Sequence, residues 1–186
     1  MTKQYCFRTK WSKYNLLILK TMLIILIISI PGNATTLSEN NQDTTVHELK
    51  WLSYDQAIKK SKIENIPTMI FFYSNNCGWC RKLEDETFSD EQVKNLMNKN
   101  FAIVKINSDS TRIISKDGEE ISERQLSQMV YQVNANPTIW FLSSNGERIA
   151  PLPGYAPVDD FINVLQYIKD GHYKEYSFPE YLEKFN

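Results

Sequence analysis

The chain has 186 residues, 42% of them apolar, with 21 basic and 22 acidic side chains and three cysteines. That length supports one well-packed core and is too short for two large ones. Five of the basic residues precede position 35; without them 16 basic residues face 22 acidic ones, a net charge near −6, and no Lys/Arg cluster remains to bind nucleic acid.

Residues 1–34 carry Lys3, Arg8, Lys10, Lys13 and Lys20 with no acid, then an apolar run from Thr21 to Ile30, then Pro31-Gly32-Asn33-Ala34. A basic segment, a short apolar segment and small residues in that order form a secretory leader, with cleavage expected after Ala34. The alternative is a retained membrane anchor through residues 16–30. That stretch is interrupted by Lys20 and falls short of the ~18–20 apolar residues that span a bilayer. Either route carries the remaining chain out of the cytoplasm, and Cys6 is given no role. Residues 35–48 are polar and rich in Asn, Thr and Ser, which suits a linker.

The folded part is expected to begin at Leu49. Ser53 with Gln56 has the spacing of a capping box for a helix towards Ile63. Pro67 closes that connection, and Thr68 to Tyr73, β-branched and aromatic, reads as a buried strand. Next comes Cys77-Gly78-Trp79-Cys80, followed by Arg81 to Glu86 with no helix breaker. A Cys-x-x-Cys pair suits a redox couple, an inert structural disulfide or half a zinc site. Zinc normally takes four ligands; beyond this pair the chain offers Cys6, His47 and His172, none at ligand spacing. The strand-to-helix setting favours the redox couple. Unpaired N–H groups and the positive end of the helix dipole stabilise a thiolate at Cys77, and Cys80 lies on the same side of the first turn. Cys77 is therefore read as the nucleophile and Cys80 as the resolving thiol.

Ser89 with Gln92 suggests a second capping box, for a helix over residues 90–98, and Phe101 to Asn107 a second strand. Thr111 to Ile121, with Lys116-Asp117-Gly118 in its middle, reads as a hairpin, and Ser122 with Gln125 caps a helix to about Tyr131. Pro137 then enters a strand over residues 138–142. Asn145-Gly146 turns the chain into a returning strand over residues 147–152, and Pro157 opens a last long helix over residues 158–169 that Gly171 closes. This order predicts an α/β domain over residues 49–171, a mixed β-sheet with helices on both faces. In the extension, residues 172–186, Pro179 starts a short helix with Leu182 and Phe185 expected inward.

Taken together, the redox turn after a buried strand, Lys105-Ile106-Asn107 on the next strand and Asn136-Pro137-Thr138 entering a hairpin resemble the thioredoxin superfamily. Cys77-Gly78-Trp79-Cys80 with Glu84 and Thr87-Phe88-Ser89-Asp90 is similar to exported SoxW-type thioredoxins and to the C-terminal domain of DsbD. The resemblance implies a thioredoxin-like fold and a cis Pro137 facing the disulfide. It also implies that Asn136 and Pro137 bind an extended substrate segment. Asn136 stands where thioredoxins usually carry an apolar residue, so its amide is expected to bond substrate. Phe71 stands where many relatives place a buried carboxylate, six residues before the first cysteine. Glu84, one turn beyond Cys80, is then the candidate acid/base for the resolving thiol, and Lys105 either pairs with Glu84 or points to solvent. Trp79 adds an apolar contact for substrate and no charge to hold a thiolate, whereas Arg81 adds positive charge near Cys77; the couple is expected towards the reducing end of ~−270 to −120 mV.

The resulting expectation is an exported monomeric thiol-disulfide oxidoreductase that reduces disulfides of exported proteins and needs no cofactor or metal. A membrane electron donor of the DsbD or CcdA type would restore its dithiol. The alternatives are an oxidase or isomerase running the couple in the other direction, and a non-catalytic module that holds an exported partner.

Overall fold

The computed structural model describes residues 48–185. The leader, the anchor and nearly all of the linker, with Cys6 and His47, lie outside the described residues. Helix α1 (Tyr54–Glu64) leads to β1 (Thr68–Tyr73), then α2 (Gly78–Lys82), which continues as a π-helical turn over Leu83–Thr87. Helix α3 (Glu91–Asn100), strand β2 (Ala102–Asn107) and a hairpin of β3 (Ile113–Lys116) and β4 (Glu119–Ser122) follow. Helix α4 (Glu123–Gln125) runs on into a second π turn, Leu126–Val130. Strands β5 (Thr138–Leu142) and β6 (Arg148–Pro153), helix α5 (Val158–Lys169), a 3-10 turn (His172–Lys174) and α6 (Phe178–Phe185) complete the order.

The main sheet runs β2-β1-β5-β6, with β1 parallel to β2 and antiparallel to β5, and β6 antiparallel to β5. Alternation along β1 divides the core. Met69 and Phe71 face one side with Leu83, Phe88, Val93 and Phe161, whereas Ile70 and Phe72 face the other with Tyr54, Ala57, Leu126 and Tyr131. The sheet is therefore mixed, with helices on both faces. Pro151 and Pro153 are accommodated because β6 is an outer strand, where a missing N–H breaks no ladder on the open side. Before α1 the chain makes one parallel bridge, Leu52 to Val104, at the opposite edge.

Capping boxes form at Ser53/Gln56 and Ser122/Gln125. The expected box at Ser89/Gln92 does not. Asp90 is the N-cap, its carboxylate accepting from Val93 N at 3.0 Å, while Ser89 Oγ donates back to Asp85 O at 2.6 Å. The preceding π turn carries the chain one residue further before the new helix starts. Asp90→Ala is accordingly expected to cost about 1 kcal/mol in urea unfolding, and Ser89→Ala clearly less.

The tail departs from expectation at its inward face. Tyr181 is the buried residue and Phe178 packs on the core, whereas Phe185 is 48% exposed. Tyr167 of α5 explains the choice. Its ring lies 5.2 Å from both Phe178 and Tyr181, and its hydroxyl donates to Tyr176 O at 2.7 Å, which fixes the phase of α6.

Candidate active site

Strand β1 ends at Tyr73, and the loop Ser74–Asn76 delivers Cys77 to the N-cap position of α2. Cys77 and Cys80 form a disulfide with Cα atoms 5.2 Å apart. The two sulfurs sit in unlike surroundings. Cys77 is partly exposed and its Sγ accepts the Cys80 N–H at 3.0 Å, while Cys80 is 2% exposed and packs in the core cluster with Leu83 and Phe88. A backbone N–H aimed at Cys77 Sγ stabilises negative charge there, which suits an attacking thiolate.

The loop before Cys77 is braced twice. Arg81 donates to Asn75 O at 3.2 Å, so this side chain, expected to add charge near Cys77, clamps the approach to it. Asn107 Nδ2 donates to Asn75 Oδ1 at 3.2 Å. On the exposed rim Trp79 is 59% accessible, with its ring 5.9 Å from Tyr155. Lys82 Nζ lies 4.7 Å from the Tyr155 ring centre and 5.3 Å from that of Trp79. Tyr155 donates to Glu86 at 2.6 Å, and that bond raises its phenol above its ordinary pKa.

Beneath the helix, Lys105 pairs with Glu84, each about one-third exposed. Lys105 is directly opposite Phe71 across the parallel ladder, and its ammonium lies 4.3 Å from the centre of the Tyr73 ring. Phe71 itself is fully buried against Phe88, Tyr73 and Trp51. The carboxylate on this face thus comes from the helix, not from β1. Among the described residues no three His, Cys, Asp or Glu side chains gather as metal ligands.

The Asn136–Pro137 peptide is cis, and Pro137 is buried. Thr138 pairs with Phe72, which brings this turn to the same end of the sheet as the loop of Cys77. Gly154, at φ +83°, donates its N–H to Pro137 O at 2.8 Å, a backbone turn that a side chain would strain. Asn136 Oδ1 accepts from Ser108 Oγ at 3.1 Å, so part of the amide expected to bond substrate is engaged inside the protein.

A thioredoxin-like domain family matches residues 54–169. The chain belongs to the thioredoxin-like family of disulfide oxidoreductases. Within that family it is 28% identical over 126 residues to disulfide bond reductase DsbH of Chlamydia pneumoniae, a match covering 64% of this chain and 72% of DsbH. Spermatogenesis-associated protein 20 of Rattus norvegicus is 31% identical over 67 residues, 36% of this chain but 8% of that protein. A thioredoxin-fold protein from Helicobacter pylori superposes with a TM-score of 0.54 at 26% identity, covering 65% of this chain and 80% of its own. A thioredoxin from Thermus thermophilus shares the fold at a TM-score of 0.52 and 24% identity, covering 64% and 86%. Of the thioredoxin-like features singled out from sequence, Cys77-x-x-Cys80 follows the end of β1, Asn136-Pro137 precedes Thr138, which pairs with Phe72 near that end, and Lys105, paired with Glu84, lies opposite Phe71. Sequence reasoning did not identify Tyr155, Ser108 or Ser127. They come from three distant segments, and no local pattern marks them.

Among the described residues no helix is long and apolar enough to cross a membrane.

Proposed function

We propose that the chain is an exported reductase of protein disulfides. The observation that carries this reading is the asymmetry of the cysteine pair, with an accessible Cys77 holding an N–H donor and a buried Cys80 behind it. The similarity to a protein named disulfide bond reductase supports the direction. Cys77 thiolate attacks one sulfur of a substrate disulfide, the other leaves as a thiolate, and a Cys77–substrate mixed disulfide forms. Cys80, deprotonated, attacks Cys77 Sγ, releases the reduced substrate and closes the Cys77–Cys80 bond. The basic and apolar segments of residues 1–34 support export, with residues 16–30 as an anchor if they are retained. Outside the cytoplasm each cycle leaves an oxidised pair, so turnover requires an electron donor in the membrane, of the DsbD or CcdA type. Trp79, Asn136 and Pro137 contact the substrate segment, and the enzyme acts as a monomer.

The equilibrium potential of Cys77–Cys80 against glutathione and dithiothreitol tests the direction. A value below about −200 mV is expected; one near about −120 mV would make the chain a disulfide donor.

Glu84, paired with Lys105, takes up the Cys80 proton directly or through a water. Glu84→Gln is expected to slow resolution of the mixed disulfide roughly 100-fold near neutral pH and to leave the first attack by Cys77 unchanged. The deficit should shrink as pH rises, because solvent then removes the Cys80 proton unaided. A resolving rate unaltered between about pH 6 and 9 would remove Glu84 from the mechanism.

A further inference from the structure

A chain of hydroxyls runs from the protein interior to the residue before Pro137. Ser127, fully buried in the second π turn, donates to Ser108 Oγ at 2.9 Å. Ser108, itself buried, donates to Asn136 Oδ1 at 3.1 Å, and its backbone N–H is bonded to Tyr73 O at 2.8 Å. A serine hydroxyl carries one proton. Ser127 gives its proton to Ser108, so the proton of Ser108 goes to the carboxamide, and the amide atom facing it must be the acceptor oxygen. The NH2 group of Asn136 is then turned away from the buried serines, on a side chain that is only partly buried.

The backbone around this amide is held as well. Thr138 Oγ1 donates to Ala135 O at 2.7 Å, and Gly154 N donates to Pro137 O. Two successive residues at the end of β2 thereby brace the two loops that flank the disulfide. Asn107 holds Asn75 before Cys77, and Ser108 holds Asn136 before Pro137.

We propose that Ser127 and Ser108 are positioning residues that present the Asn136 NH2 group as a hydrogen-bond donor. The site then favours a partner with a carbonyl or carboxylate acceptor on the side chain beside its reacting cysteine. The inference rests on the mixed-disulfide chemistry of Cys77 and the substrate contact of Asn136 proposed above. A donor fixed before binding loses little freedom on meeting its acceptor, and one such neutral bond is worth roughly a 3- to 10-fold preference.

The test uses the full chain carrying Cys6→Ser and Cys80→Ser, so that Cys77 is its one cysteine and an adduct on it persists. Its glutathione mixed disulfide is exchanged with two peptide thiols that differ only in having Asn or Ala beside the cysteine. In the exchange the Cys77–glutathione S–S bond breaks and the Cys77–peptide S–S bond forms. The peptide thiol proton passes to the released glutathione, with no net oxidation. The Asn peptide is expected to be favoured roughly 3- to 10-fold. Ser108→Ala and Ser127→Ala should each bring that ratio towards about 1 while exchange continues and urea unfolding shows the variant still folded, because an unfolded chain would also show no preference. Asn136→Asp keeps an acceptor for Ser108 but presents oxygen instead of NH2, so a Lys-bearing peptide should overtake the Asn peptide. No preference in the parent protein, a preference that survives either serine change, or one that survives Asn136→Asp, overturns the proposal. Failure to form any peptide adduct instead overturns the mixed-disulfide chemistry beneath it.

Discussion

Cys77→Ser is expected to lower disulfide reduction by a factor on the order of 10³ or more, because a serine hydroxyl is not ionised at neutral pH and cannot replace the thiolate. Cys80→Ser should behave differently. The first attack proceeds, but nothing within reach displaces the substrate, and the chain accumulates one covalent adduct per molecule. With Cys6→Ser in both proteins, intact mass after mixing with a disulfide peptide separates the two outcomes: no added mass for Cys77→Ser and one peptide for Cys80→Ser. The difference follows from exposure. Cys77 meets the substrate, whereas Cys80 is 2% exposed and reaches only its neighbour. An adduct on Cys80 in the Cys77→Ser protein would reverse the assignment.

Phe71→Ala is expected to be among the most destabilising single changes in the domain, at about 3–5 kcal/mol. The ring is fully buried at the centre of β1 and contacts Phe88 edge-on at 5.2 Å, Tyr73 at 5.8 Å and Trp51 at 6.2 Å. Its removal leaves a cavity between the sheet and the active-site helix, which rigid strands on either side cannot close. Set against typical stabilities of ~5–15 kcal/mol, the loss lowers the urea midpoint by roughly 2 M. Phe185→Ala, at a side chain 48% exposed, should move it by much less. Equal shifts for the two would mean that Phe71 does not anchor this core. The change also bears on chemistry, since Lys105 lies across the ladder from Phe71 and pairs with Glu84.

The strands were legible because their signals are local. The β-branched and aromatic run Thr68–Tyr73 read as a buried strand, and the structure divides it, with Met69 and Phe71 in one core cluster and Ile70 and Phe72 in the other. The cysteine pair was legible for the same reason, since its spacing and its place between strand and helix lie within a dozen residues. Lys105 was left between Glu84 and solvent by the sequence, because the pairing with Glu84 depends on the height of α2 above β2, which no local pattern sets. Ser89 and the tail misled for a related reason. A Ser-x-x-Gln spacing matched the capping box, but the π turn before it moved the cap to Asp90. Phe185 has a larger apolar surface than Tyr181, yet contacts with Tyr167 decided which of them turned inward. Ser108 and Ser127 carry no signal at all, since ordinary serines acquire meaning only from the fold that stacks them on Asn136.

Both π turns also change what an insertion or deletion would do to this chain. In α3 the loss of one residue would rotate everything beyond it by about 100° and drag Val93 or Met97 out of the core. At Leu83–Thr87 the register already contains a surplus residue. Phe88 N bonds Leu83 O five positions back, at 2.9 Å, and both side chains are buried on one face. Deleting the exposed Asp85 would bring those partners to the ordinary spacing of four and keep them stacked. The same count applies to Leu126 and Tyr131, with Tyr131 N on Leu126 O at 3.0 Å. These two helices can therefore be shortened by one residue with the core intact, so length variation here is tolerated by the fold and felt mainly at Glu84, Glu86 and Ser127.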